Sequence, residues 1–356
     1  MRRTSIRPLT SAVTAIALAS LIGACDDSSP TNSAPPVGSF ARADLVADAT
    51  DGSATVDASL VNPWGIAFNT TGSVMWVSDN GSGVSTVYDT LGAKKPVTVT
   101  IPSHSGANGA PTGIVFNTTT TFVIPGGASA HWIFAGEDGT IAAWSTGTAA
   151  TIVVDRSATG AVYKGLALAA NGNANFLFAT NFRKNTVDVF DSTFTFVKSF
   201  TDPNVAAGYA PFGIQAAGGQ LYVTFAKRLA PDSTDDDAGA GHGYVDVFNT
   251  DGTMAKRLVS NGALNSPWGV AVAPLGFGAF SGDVLVGNFG DGHISAYDPA
   301  SGTFEGFVGD STHTALAIDG LWALQFVPTA GSLKLFFSAG PGEESHGIIG
   351  MLTPKP

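Results

Sequence analysis

A short pattern recurs six times along the chain, and no other feature constrains its fold as strongly. It reads proline, a variable residue, glycine, then an apolar–small–apolar triplet. The copies are Asn62-Pro63-Trp64-Gly65-Ile66-Ala67-Phe68, Pro111-Thr112-Gly113-Ile114-Val115-Phe116, Tyr163-Lys164-Gly165-Leu166-Ala167-Leu168, Pro211-Phe212-Gly213-Ile214, Pro267-Trp268-Gly269-Val270-Ala271-Val272 and a degenerate Leu321-Trp322-Ala323-Leu324-Gln325-Phe326. The glycine positions, with Ala323 in the sixth, lie 48, 52, 48, 56 and 54 residues apart. A fixed period of this length marks a repeat architecture in which each unit buries its faces against its neighbours.

Each copy is followed by a second apolar strand (74–80, 131–137, 175–181, 221–226, 283–288, 333–339) and, with the sixth unit's at 347–352, a third. The third strand commonly ends in an aromatic residue and a turn, as in Val187-Asp188-Val189-Phe190 and Val245-Asp246-Val247-Phe248. Asp or Asn with a following Gly is hairpin chemistry. A more polar fourth strand, such as 96–102 or 196–200, completes a unit. Runs like Leu335-Phe336-Phe337-Ser338-Ala339 are apolar on both faces, so their sheets must be covered on both sides. No helical period appears after residue 38 to supply that cover. Sheets stacked on sheets supply it, which predicts an all-β, six-bladed β-propeller of four-stranded antiparallel blades. The sixth unit lacks a fourth strand before Pro356. Residues 40–46 are expected to provide it and close the ring.

Composition limits the functions open to such a body. There are 17 Lys+Arg against 28 Asp+Glu, and charged residues are 13% of the chain. An acidic chain without a basic block is a poor match for nucleic acid. Glycine, at 44 of 356 residues, suits many tight turns. The single cysteine, Cys25, forms no internal disulfide and builds no cysteine-based zinc site. It follows a basic start (Arg2, Arg3, Arg7) and a charge-free stretch from Leu9 to Ala24. That reads as a secretory signal over 1–24, too short for a membrane span. The small residues before Cys25 resemble a bacterial lipobox, which implies a lipidated cysteine; an ordinary cleaved signal is the alternative. Residues 25–39 read as a flexible tether and 40–356 as the folded domain. Processing at Cys25 leaves 14 basic against 28 acidic side chains. The expected location is the cell envelope, with the membrane touched only through the lipid and the domain a monomer.

The strand signatures resemble NHL-type propellers. The runs 243–302, 318–326 and 338–347 more closely resemble an uncharacterised family of exported bacterial NHL-like proteins without an established activity. That resemblance implies the fold and leaves the function open.

Candidate sites follow from a hand alignment of the second-strand ends: Asn80, Glu137, Asn181, Ala226, Asn288 and Gly340. Asn80, Glu137, Asn181 and Asn288 are expected at one mouth of the central channel, where hard oxygen ligands suit Ca²⁺. This is similar in kind to the metal site of gluconolactonase-type propellers. Polar side chains that cap strand ends and hold water are the alternative. A second column starts the third strands: Ser82, Asp138, Asn185, His242, Asp291 and His346. His104, His293 and His313 are expected on the same rim and His131 on the other. NHL-type amidating lyases place zinc among histidines, so Zn²⁺ is a second candidate, with solvated loop histidines as the plain alternative. The acidic loop 231–239 and the pair Glu343–Glu344 share that rim as ligands or acid/base groups. Trp64, Trp268 and Trp322 suit either packing between blades or a sugar-binding stripe. No nucleophile elbow, phosphate loop or HExxH motif is present.

Two functions remain. The first is an envelope-anchored propeller that binds a ligand or protein partner through an acidic rim containing Asn80, Glu137, Asp138, Asn181, Asn288 and Asp291. The second is a metal-dependent lactonase or lyase, with Glu137, Asn181 and Asn288 as ligands, His242 or His346 as base, and Glu343 as a further candidate. A purely structural surface protein is a third option.

Overall fold

The glycine of each repeat sits where two strands approach too closely for a side chain. A Cβ on Gly113 would lie 2.2 Å from Leu166 N, one on Gly213 1.9 Å from Trp268 O, and one on Gly269 2.4 Å from Trp322 O. These contacts join successive repeats, so the first strands stand side by side in chain order. A computed structural model describes residues 37–50, 52, 55–229 and 234–355 of the chain. The first strands are Pro63–Phe68, Pro111–Phe116, Tyr163–Asn171, Tyr209–Ala217, Pro267–Val272 and Leu321–Phe326. All six line one narrow void of about 40 Å³, so they surround a common axis. The last strand packs against the first, and Ser338 Oγ donates to Trp64 O between units six and one.

Units one to four are separate four-stranded antiparallel sheets. Unit one, for example, is Pro63–Phe68, Met75–Asp79, Val84–Tyr88 and Lys94–Thr100. Units five and six belong to one nine-stranded sheet, because Val37–Ala47 joins them. That strand pairs antiparallel with Ile348–Pro354, supplying the fourth strand that the sixth repeat lacks. At its start, Val37–Ser39 pairs parallel with Phe307–Gly309 of unit five. The folded body therefore takes in residues 37–39, which the sequence reading gave to the tether. The signal segment, Cys25 and the tether up to residue 36 lie outside the described residues.

Burial follows from stacking. The second strand Met75–Asp79 is buried at all five positions, whereas the outer strand Phe196–Phe200 is largely exposed. Apolar clusters fill the spaces between neighbouring sheets, as with Ala67, Trp76, Trp132 and Phe134 between units one and two. Among the described residues the only helical turns are two 3₁₀ segments, Ser157–Thr159 and Gly278–Phe280. Outer hairpins use the expected chemistry: Asp191 Oδ1 accepts from Thr193 N at 2.8 Å and Thr195 N at 3.0 Å.

Candidate functional site

The variable residue of each Pro-x-Gly copy falls at one end of the axis. Five of these residues are Trp64, Lys164, Phe212, Trp268 and Trp322, and they meet there. Trp64 stacks on Trp322 with ring centroids 3.6 Å apart. Trp268 and Phe212 meet both rings edge-on at 5.7 to 6.5 Å. The three tryptophans are thus core packing that closes the axis, and they form no exposed stripe. Lys164 is the one charged member of this plug and is only 3% exposed. Its Nζ lies 4.9 Å from the Trp64 ring and pairs with Glu137 Oε1.

A chain of side chains crosses the mouth above this plug. Asn80 Nδ2 donates to Glu137 Oε2 at 3.0 Å. Asn62 Nδ2 donates to Glu344 Oε2 at 2.8 Å and reaches Asn80 Oδ1 at 3.4 Å. Trp322 Nε1 donates to Asn62 Oδ1 at 2.9 Å, while Trp64 Nε1 is buried without a hydrogen-bond partner. Units six, one, two and three each contribute. Glu344 is exposed at the surface, but partial desolvation of its carboxyl, then the neighbouring Glu137, raise it above the usual glutamate range; Lys164 opposes the shift. Asp236 reaches the same field from the acidic loop, and burial raises it too. Residues 231–233 of that loop lie outside the described residues.

The backbone is set unusually here. Asn62 and Ser266, each immediately before the proline of a Pro-Trp-Gly copy, have φ of 46°. Glu343 and Glu344 are consecutive left-handed residues at 55° and 63°. Such conformations cost of order 1–3 kcal/mol each and persist where the surroundings over-determine them.

The expected second-strand column mixes two registers. The residues paired with the motif positions Pro63, Pro111, Tyr163, Pro211, Pro267 and Leu321 are Asp79, Gly136, Asn181, Phe225, Asn288 and Ala339. Asn80 and Glu137 stand one position later, level with Phe182, Ala226, Phe289 and Gly340. One residue in a strand reverses the side-chain direction. Asn80 and Glu137 therefore face the mouth, while Asn181 and Asn288 turn into their own sheets. Asn181 accepts from Val162 N at 3.2 Å and donates to Asp188 Oδ2 at 3.0 Å. Asn288 accepts from Asn265 N at 2.9 Å and donates to Ala263 O, His293 O and Ser295 Oγ. Neither bonds to Glu137.

The rim residues are turn builders. Asp138 accepts from Thr140 N and His104 N. Asp291 accepts from His293 N and Asn265 Nδ2. His242 Nδ1 lies 2.7 Å from Asp237 O, and the exposed His346 pairs with Asp48 at 2.9 Å. His313 Nδ1 bonds Val37 O at the outer edge, away from the mouth. Glu343 is exposed. No group of three or more His, Cys, Asp or Glu among the described residues is arranged to hold a metal ion. Sequence reasoning missed Lys164 and Asn62, and had Asp236 only as one member of the acidic loop 231–239. Lys164 had a signal, as the charged residue in a column otherwise aromatic or Thr.

This architecture is shared with solved structures. Virginiamycin B lyase from Staphylococcus aureus matches with a TM-score of 0.50 at 14% identity, over 89% of this chain and 100% of that one. An α-L-arabinanase from Penicillium chrysogenum gives 0.53 at 12%, over 90% and 98%. A gluconolactonase from Xanthomonas campestris gives 0.52 at 13%, over 83% and 87%. At these identities the likeness is one of fold, and it defines an all-β, propeller-like protein. No family model matches. Two uncharacterized proteins of Acanthamoeba polyphaga mimivirus are 32% identical over 322 residues and 34% identical over 314. They cover 86% and 83% of this chain, and 78% and 81% of the relatives themselves. The chain belongs to the family of these proteins. They are viral, whereas the resemblance drawn from the sequence was to exported bacterial proteins.

Proposed function

We propose that this chain is a six-bladed propeller, exported and held in the cell envelope by a lipid on Cys25, that binds a small polar ligand at the mouth bearing Glu344. The blade count rests on six first strands around one axis and on the strand Val37–Ala47 that joins the last two units. The binding role rests on one observation: the Glu344–Asn62–Asn80–Glu137–Lys164 chain, assembled from four units over an aromatic floor. Glu344 and Asp236 offer carboxylate acceptors to such a ligand. Excess negative charge favours a ligand with amine or hydroxyl donors. The domain acts as a monomer in this reading, since the site is complete within one chain.

The raised Glu344 favours a second reading, acid catalysis at the same mouth. A lyase and a gluconolactonase among the fold neighbours are compatible with it. A Ca²⁺ or Zn²⁺ cofactor in that reading would rest on Glu137, Asn80 and Glu344, without Asn181 and Asn288. The test is a thermal-shift screen of the full chain with CaCl₂, ZnCl₂, spermidine and inositol. A stabilising shift lost in Glu344→Gln supports the site. Shifts that Glu344→Gln leaves unchanged, or none from any of the four, refute binding of this class there. Stabilisation by CaCl₂ or ZnCl₂ alone selects the metal-dependent reading.

A further inference from the structure

The other end of the axis carries a second cavity of opposite chemistry. It holds about 410 Å³ and opens where the first strands run toward the loops that lead to the second strands. Its walls include Phe68, Phe116 and Leu168, and no ionisable side chain lines it. Its volume falls within the range of small-molecule sites, roughly 300–1,000 Å³. The void between it and the mouth is narrow, about 40 Å³, and the stacked Trp64 and Trp322 rings close its far end. The two ends are therefore separate sites, and no small organic ligand passes between them.

Two glutamines set the polarity of this cavity. Gln215 and Gln325 stand at the same place in their repeats, two residues after Gly213 and Ala323. Each turns its amide nitrogen onto the carbonyl of the next residue. Gln325 Nε2 donates to Phe326 O at 3.2 Å, and Gln215 Nε2 reaches Ala216 O at 3.5 Å. With both nitrogens so directed, the Oε1 atoms are the acceptors left for a ligand. A charged ligand would lose its hydration and meet no counter-charge.

We propose that this cavity is a second binding site, for an uncharged small molecule with an apolar ring body and two hydrogen-bond donors. The ring fills the space between Phe68, Phe116 and Leu168, and the donors meet Gln215 Oε1 and Gln325 Oε1. Gln215 and Gln325 are half-buried, so a ring without donors would cover their oxygens without pairing them, and that penalty discriminates against it.

Ligand-observed saturation-transfer NMR on the full chain tests this with three probes of one ring size: resorcinol, 1,3-dimethoxybenzene and benzoate. Resorcinol should bind about tenfold more tightly than either of the others. Gln325→Leu or Gln215→Leu, each separately, should remove that preference, and Glu344→Gln should leave it intact. The Glu344→Gln arm separates this site from the mouth, so either can fail alone. The proposal is overturned if resorcinol shows no preference over dimethoxybenzene, if benzoate binds as well, or if the preference survives in whichever leucine variant folds.

Discussion

Lys164 is a buried cation whose ion-pair partner comes from the preceding unit, across the gap between their sheets. Removing one partner of such a pair is far more damaging than removing both. Glu137→Gln should therefore lower stability by about 2 kcal/mol, and the double variant Glu137→Gln/Lys164→Met should recover most of that loss, as read by urea unfolding. Asp79 shows the opposite problem. It is fully buried, Oδ2 accepts from Thr86 N at 2.9 Å, and Oδ1 has no partner. Burial raises its carboxyl well above the usual range. A raised folded value contributes stability at pH below the unfolded value, which is lost as pH rises through the folded one. Asp79→Asn should thus raise the melting temperature at neutral pH, with a gain that grows with pH and vanishes near pH 3. Lys164 was legible as an odd member of a repeat column. Glu344 was legible only as part of a rim, because its partner Asn62 is 282 residues away.

At the scale of the strand, register separates what a sequence discloses from what it hides. The Pro-x-Gly strands, the aromatic third-strand ends and the hairpin aspartates all announce themselves by type and spacing. The ends of the second strands do not, since Asp79-Asn80 and Gly136-Glu137 place their polar residues one step from Asn181 and Asn288. Only pairing with the first strand resolves that step, and it decides which side chains reach the mouth. Close approach of first strands gives a direct prediction. Gly213→Ala puts a Cβ 1.9 Å from a backbone carbonyl and should cost about 3 kcal/mol. Gly165→Ala, whose nearest neighbour is Thr180 Oγ1 at 3.0 Å, should cost less in the same unfolding assay. The outer strands carry their own constraint, in which Arg257 pairs with Asp202 and, at 2.7 Å, with Asp246. Burial still pushes Asp246 up to about 6. Arg257→Met should therefore destabilise by about 3 kcal/mol at pH 8, and by less at pH 5, where Asp246 takes up a proton.

For the whole molecule, the strand Val37–Ala47 holds the last unit by pairing with Ile348–Pro354 and ties it to unit five. A chain starting at residue 48 exposes two sheet edges at once. It should lose the single cooperative thermal transition that a chain starting at residue 37 retains. This closure was legible because the sixth repeat ran out one strand short. The joining of units five and six was not, because it depends on three pairs at the very start of the strand. Units distant in sequence assemble one polar mouth. The chain has only four glutamates, Glu137, Glu305, Glu343 and Glu344, so carboxyl-¹³C labelling of glutamate reports on that mouth directly. In a pH titration by NMR, Glu344 should titrate above the ordinary glutamate range, and Glu137→Gln should bring it down toward that range. If Glu344 titrates in the ordinary glutamate range and Glu137→Gln leaves it unmoved, the mouth is not assembled as described.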